Sequence, residues 1–230
     1  MFKVDELPVR RKTWVKIANI PRARLGWEFS DCSEVVDEDL QKVNKWIEQV
    51  EKGNIIQADG KPSCGKGLLL QGEPGNGKTT LALVILQDML RRFPLSAFSP
   101  QDNRILVSPC YFATFSSIIS LNGQLMGDGK TDESERLFLG MHGECDDDAY
   151  NIRVLVIDDV GKEHMSASGW QKTVLHHLLR TRFNNGLPTI LTTNIKLDAW
   201  DALYGPATES FALEAFSHLI LKSTRGDLRR

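Results

Sequence analysis

Apolar residues at Val36, Leu40, Val43, Ile47 and Val50 recur at steps of four, three, four and three. That spacing lays one stripe along one face of a helix, with Asp37 as its cap and Gly53 as its stop. The period then changes. Leu68-Leu69-Leu70, inside residues 67–71, is a short unbroken apolar run, the pattern of a strand covered on both faces. A glycine-rich turn follows, then a helix over 79–92 with Leu83, Ile85, Met89 and Leu90 as apolar positions. Residues 94–103 read as a loop, 105–107 open a second strand, and 114–121 form a short helix. The Gly/Asp-rich stretch 123–132 reads as a mobile loop, and 133–142 as a helix. The third strand is 154–157. A helix over 168–183 ends at Asn184-Asn185-Gly186, a natural helix stop. Residues 188–193 make a fourth strand, 197–204 and 208–216 two short helices, and 218–222 a fifth strand. Strands alternating with helices predict an α/β fold whose sheet is mainly parallel.

Residues 1–30 stand apart. Between Arg10 and Trp27 lie six basic residues (Arg10, Arg11, Lys12, Lys16, Arg22, Arg24) and no acidic one. The expectation is a basic N-terminal arm over 1–30, partly ordered at best, ahead of one domain over 31–230. Trp14 and Trp27 would serve a partner protein, stack on single-stranded nucleic acid, or simply tuck onto the core. The whole chain is 41% hydrophobic and 25% charged, which excludes a disordered or fibrous protein. With 28 basic and 30 acidic residues the formal charge is −2. That excludes holding nucleic acid by bulk charge but leaves room for a local basic groove. The four cysteines, at 32, 64, 110 and 145, form no CxxC pair. Reduced thiols and a cytoplasmic location follow as expectations. Residues 1–16 hold no apolar run of the kind a secretory leader carries, so none is expected, and no run approaches the roughly 20 residues of a membrane span.

Gly72-Glu73-Pro74-Gly75-Asn76-Gly77-Lys78-Thr79 fits G-x-x-x-x-G-K-[ST], with a strand before it and a helix after it. Glycines let the backbone curl until successive N–H groups face phosphate oxygens, and the helix start adds its positive end. Lys78 is expected to reach the β- and γ-phosphates of ATP, and the Thr79 hydroxyl to ligate Mg2+. Thr80 joins the nucleotide-binding set, with a purely structural role as its alternative.

The run 154–157 ends in Asp158-Asp159, as a Walker B strand does. Beside the phosphate-loop strand, it would bring Asp158 to the Mg2+ site. Asp159 would then polarise the attacking water; the alternative is a solvated turn. Thr189-Ile190-Leu191-Thr192-Thr193-Asn194 ends another apolar strand in polar residues. Asn194 would hold the lytic water as a sensor 1 residue, or serve only as a turn residue. Asp159, Lys78 and Asn194 are thus the candidate catalytic groups, and Thr79 and Asp158 the candidate metal ligands.

In order and spacing these segments resemble AAA+ ATPases of the DnaC/IstB type, which comprise replicative helicase loaders and transposition ATPases. The resemblance rests further on VIDDVG at 156–161, GLPTILTTN at 186–194, GDLR at 226–229, and Ile20-Pro21 before Trp27-Glu28-Phe29. It implies a P-loop NTPase of AAA+ type: a five-stranded sheet in the order 5-1-4-3-2, helices on both faces, and no large lid domain. It implies ATP-dependent homo-oligomers, single-stranded DNA along an inner surface, and Arg229 as the sensor 2 arginine contacting nucleotide. One departure stands out. No arginine occurs between Arg182 and Arg225, and Glu209, Glu214 and His218 fall where finger arginines are expected. A finger is worth about 10³–10⁵ in rate. Turnover is therefore slow, or Arg180 or Arg182 serves in trans, or the chain is an ATP-binding scaffold.

The leading functional expectation is an ATPase that loads a replicative helicase onto single-stranded DNA. The alternative partner is a transposase. Lys162, Lys172, Arg180 and Arg182 are candidates for a DNA groove, and His176-His177 read as core-edge histidines.

Overall fold

The computed structural model describes residues 1–32, 35–56, 61–95, 108–162 and 169–221. Five strands form one sheet: β1 (Gly67–Gln71), β2 (Cys110–Thr114), β3 (Val154–Val160), β4 (Thr189–Thr193) and β5 (Phe216–Ile220). Their order is β2-β3-β4-β1-β5, and every neighbouring pair is parallel. The helices are α1 (Val9–Ile17), α2 (Asp37–Lys52), α3 (Lys78–Arg92), α4 (Phe115–Met126), α5 (Asp132–His142), α6 (Trp170–Asn184), α7 (Trp200–Tyr204) and α8 (Pro206–Ala215).

The two-residue period of the strands splits the core in two. Leu68, Leu70, Val154, Val156, Ile190 and Leu219 face one side, where α1, α2 and α3 pack. Leu69, Leu155, Ile157, Leu191 and Phe216 face the other, under residues of α4, α6, α7 and α8. A sheet with both faces covered reads as unbroken apolar runs, and β1 and β4 are buried at every position. The mainly parallel α/β sheet, in the expected order, is what the chain adopts.

Several boundaries differ from the sequence expectation. The described second strand is Cys110–Thr114; residues 105–107 lie outside the described residues. Helix α4 runs on through Gly123 to Met126, so part of the expected 123–132 loop is helical. Asp37 is the first helical residue rather than the cap, which is Val36; with Glu38 and Asp39 it puts three carboxylates on the positive end of α2. Strand β5 begins two residues earlier than expected, because Phe216 packs inward against the second core.

The largest difference lies at the N-terminus. Residues 9–17 form α1, and Trp14, Val15, Ala18 and Ile20 are buried in the first core. The segment also closes the outer edge of β2. The Phe112 N–H donates to the Ala18 carbonyl at 2.9 Å, and Asn19 Nδ2 donates to the Phe112 carbonyl at 2.9 Å. An edge strand with bare amides invites pairing, so this cover has a physical purpose. Some of the six basic side chains are used locally as well. Arg10 and Arg11 donate to the carbonyls of Leu95 and Phe93, just beyond the end of α3, where the helix dipole favours cations. The expected partly ordered arm is thus a structural part of the sheet's flank. None of the four cysteines is in a disulfide among the described residues, and Cys32 and Cys110 are buried. Among the described residues, no helix is long and apolar enough to cross a membrane.

Candidate functional site

The phosphate loop hangs between β1 and α3. Gly75 and Gly77 have φ of 89° and 75°, the left-handed region that a side chain penalises. A Cβ on Gly72 would come within 2.6 Å of the Leu221 carbonyl. That same carbonyl accepts a hydrogen bond from Asn76 Nδ2 at 2.9 Å, tethering the loop to the end of β5. Gly77 caps α3 without a side-chain hydrogen bond, which leaves the first-turn amides available to an anion. Lys78 is 6% exposed, and its Nζ donates to the carbonyls of Gly72 at 2.9 Å and Glu73 at 2.8 Å. The ammonium thus lies across the mouth of its own loop.

Strand β3 meets this loop at its carboxyl end. Asp158 Oδ1 accepts from Thr79 Oγ1 at 2.8 Å and from Thr192 Oγ1, on β4, at 2.5 Å. Thr192 Oγ1 in turn accepts the Asp159 N–H at 3.0 Å. Residues 158 and 159 stand where β4 has only Thr192, since Ile157 pairs with Leu191 and Val160 with Thr193. This bulge puts Asp159 at φ 59°, a conformation that Asp tolerates better than most residues. Bulges of this kind re-aim side chains beside functional sites. Asp159 Oδ1 lies 2.6 Å from Lys162 Nζ, and both side chains are exposed.

A cleft of about 190 Å³ opens here, lined by Gly75, Gly77, Lys78, Thr79 and Thr80 from the loop and helix. Asp159 and Asn194 line it from the tips of β3 and β4, together with Lys162 and Arg24. The structure therefore brings together Lys78, Thr79, Thr80, Asp158, Asp159 and Asn194 on the loop running from Gly72 to Gly77. Arg229 lies outside the described residues. Three side chains escaped the sequence reading of the site. Thr192 was signalled only by being polar inside an apolar strand. Arg24 and Lys162 carried no signal of nearness to the loop.

The donor set suits a magnesium triphosphate. A hydroxyl and a carboxylate held 2.8 Å apart could share one cation, and Mg2+ takes one or two protein ligands plus phosphate oxygens and waters. The curled loop and uncapped helix start suit the phosphates themselves. Burial pushes the Asp158 carboxyl up, against the hydrogen bonds from Thr192 and Thr79 that pull it down. An acid whose folded pKa lies above its unfolded one loses stability as pH rises between the two, so a charged Asp158 costs the empty fold stability at neutral pH. In Asp158→Asn the amide oxygen can still accept from both threonines. Urea unfolding of the unliganded variant is expected to show a gain of about 0.5–2 kcal/mol. A less stable unliganded variant would contradict this account.

The finger candidates separate. Arg182 is 0% exposed. Its guanidinium donates to Thr189 Oγ1 and to the carbonyls of Met141, Ile152, Arg153 and Pro188. It is a core residue that cannot reach a neighbouring subunit or a DNA groove, which corrects that expectation. Burial pulls it down to about 9, leaving it charged at neutral pH. Arg180 is exposed; its Nε donates to His176 Nε2 at 2.8 Å and it lies over the Phe211 ring. His176 also meets Thr208 Oγ1 at 3.0 Å. His218 Nε2 pairs with Gln71 Oε1 at 3.0 Å, so it braces β5 against β1.

By sequence, neither a protein-family model nor a curated protein matches the chain. The fold does match. A crystal structure of the DnaC helicase loader is similar over 92% of this chain and 99% of its own, with a TM-score of 0.56 and 24% identity. A crystal structure of DnaI is similar over 89% and 95%, with a TM-score of 0.59 and 18% identity. Domain III of the replication initiation protein DnaA from Thermotoga maritima is similar over 82% of this chain and 64% of that one, with a TM-score of 0.53 and 15% identity. The AMPPCP-bound DnaA from Aquifex aeolicus, also at a TM-score of 0.53, carries an ATP analogue. The parallel five-stranded sheet covered by helices on both faces is thus a fold that this chain shares with these structures.

Proposed function

We propose that this chain, which shares its AAA+ fold with DnaC and DnaI, is an ATPase that loads a replicative helicase onto single-stranded DNA. The observation that carries the ATPase reading is the Thr79–Asp158 contact at 2.8 Å, beside a lysine that closes its own phosphate loop. ATP would bind with its phosphates against the loop and the start of α3. Lys78 would leave the Gly72 and Glu73 carbonyls for the β- and γ-phosphates. Thr79 and Asp158 would hold Mg2+, which when bound supplies charge neutralisation at the β- and γ-oxygens. Asp159 would orient the attacking water and accept its proton, and the Asn194 amide would hold that water in line. The helicase-loading reading is supported by fold and coverage, for DnaC is a helicase loader and the two chains align almost end to end. Residues 1–30 would carry the docking surface, with Lys16 and Arg22 exposed there. ATP would hold a homo-oligomer around the strand.

A second reading, an ATP-binding switch with little turnover, is favoured by one observation. Asp159 is engaged by Lys162 at 2.6 Å, so its carboxylate is shared before any water arrives. An IstB-type role with a transposase would use the same site. Affinity purification of the tagged chain from its host, with ATP and Mg2+, separates these readings. Co-purifying helicase, with ATP-dependent binding of a single-stranded oligonucleotide, is the expected result. A transposase in its place, or neither activity, would overturn the loader reading.

A further inference from the structure

The geometry points to Arg24 as the arginine that contacts the terminal phosphate of ATP, supplied by the same chain rather than by a neighbour. This rests on the nucleotide-binding reading above and names a contact for it. Arg24 belongs to a single 3-10 turn, Arg22–Arg24, yet it lines the same cleft as Lys78, Asp159 and Asn194. Its place is fixed by α3, the helix that follows the phosphate loop. Gln87, 1% exposed on that helix, donates from Nε2 to the Arg24 carbonyl at 3.0 Å and accepts the Gly26 N–H on Oε1 at 2.8 Å. One buried amide thus clamps the backbone on both sides of Leu25 to the helix carrying Lys78 and Thr79.

The guanidinium lies over the Trp27 ring at 4.3 Å. Stacking of this kind holds the planar head; Nη1 makes a long 3.4 Å hydrogen bond to the Ala23 carbonyl, and the remaining in-plane N–H groups are left for an acceptor. Among the described residues no carboxylate pairs with Arg24, whereas Arg91 and Arg92 on the neighbouring helix each pair with two. A positively charged fork without an acidic partner, facing a phosphate-loop cleft, is suited to bidentate binding of phosphate oxygens. The stretch that usually supplies a finger arginine holds none. Residues 183–224 contain none, and Arg182 is consumed by core carbonyls. Because Arg24 rides on the segment that covers the β2 edge, the terminal phosphate would also be felt at the N-terminus.

The test compares ATP with ADP. Calorimetry on the 230-residue chain with Mg2+ should show Arg24→Ala binding ATP at least about tenfold more weakly, from the loss of a charged hydrogen-bond pair. ADP affinity should change by less than about twofold, since ADP lacks the contacted phosphate. Turnover should fall by about 10²-fold or more, toward the range a finger arginine supplies. Arg24→Lys keeps the charge but loses the fork, and should recover only part of the ATP affinity. Mixing separates the source: Asp159→Asn subunits, which carry an intact Arg24, should not restore turnover to Arg24→Ala subunits. Restored turnover would show a contribution in trans and overturn the inference. Equal losses for ATP and ADP would make Arg24 structural and also overturn it, as would unchanged ATP binding. Lys78→Ala is the control that keeps the two readings apart. If the wild-type chain binds no ATP, the nucleotide reading itself fails. If ATP binding depends on Lys78 but not on Arg24, only the present inference falls.

Discussion

Lys78→Ala is expected to weaken ATP binding by about 10²-fold or more while leaving the fold intact. The size follows from two charge-assisted contacts to phosphate oxygens, together about 3 kcal/mol or more. The selectivity follows from where Lys78 sits. Its ammonium donates to the Gly72 and Glu73 carbonyls at the mouth of the loop, so its loss frees acceptors beside an open cleft rather than in the core. Water can replace it there. The unliganded variant should therefore unfold within about 1 kcal/mol of wild type, and ATP should no longer raise its melting temperature as ligand linkage requires. Calorimetric titration with ATP and ADP, next to thermal unfolding with and without nucleotide, checks both halves. Unchanged ATP affinity would remove the phosphate-loop reading and everything built on it.

Arg182→Ala is expected to be the most damaging substitution in the described core. Five acceptors converge on one guanidinium: Thr189 Oγ1 and four backbone carbonyls from the end of α5, the approach to β3, and the approach to β4. Removing it leaves them facing a dry hole. Losing one member of a buried charged network costs about 3–5 kcal/mol, a large share of the 5–15 kcal/mol that holds a typical domain. Arg182→Lys should recover little, since an ammonium with three donors cannot span the five acceptors that the planar fork reaches. Arg180→Ala, two residues away and exposed, should cost well under 1 kcal/mol. Urea unfolding followed by circular dichroism distinguishes them. A stable, well-folded Arg182→Ala that lost only ATP turnover would show that Arg182 acts at the nucleotide after all.

The two arginines show where sequence stops being informative. Both lie on one helix, two positions apart, and as sequence they are equal candidates for a finger in trans. Only their angle around α6 decides that one meets water and the other meets carbonyls from elements distant in the chain. The same holds at the N-terminus. Six basic residues without an acidic one read as an arm, whereas Trp14, Val15 and Ala18 are buried in the first core. Its meaning emerges once β2 is placed at the sheet edge with a Phe112 amide that needs a partner. Arg24 is a third case, for it is separated from Lys78 by 54 positions and joined to the phosphate-loop helix through Gln87.

What the sequence determined by itself is local in origin. Short apolar runs set the strands, a four-three spacing set α2, and glycines at 75 and 77 set a loop whose backbone no other residue adopts cheaply. The fixed right-handedness of parallel crossovers then leaves few ways to order such strands. The tertiary structure decided which polar groups meet. The bulge that turns Asp159, the Thr192 hydroxyl shared between Asp158 and Asp159, the burial of Arg182 and the approach of Arg24 all depend on pairs far apart in the chain. Hydrogen bonds and burial act through space over a few ångströms, so no spacing along the chain encodes them.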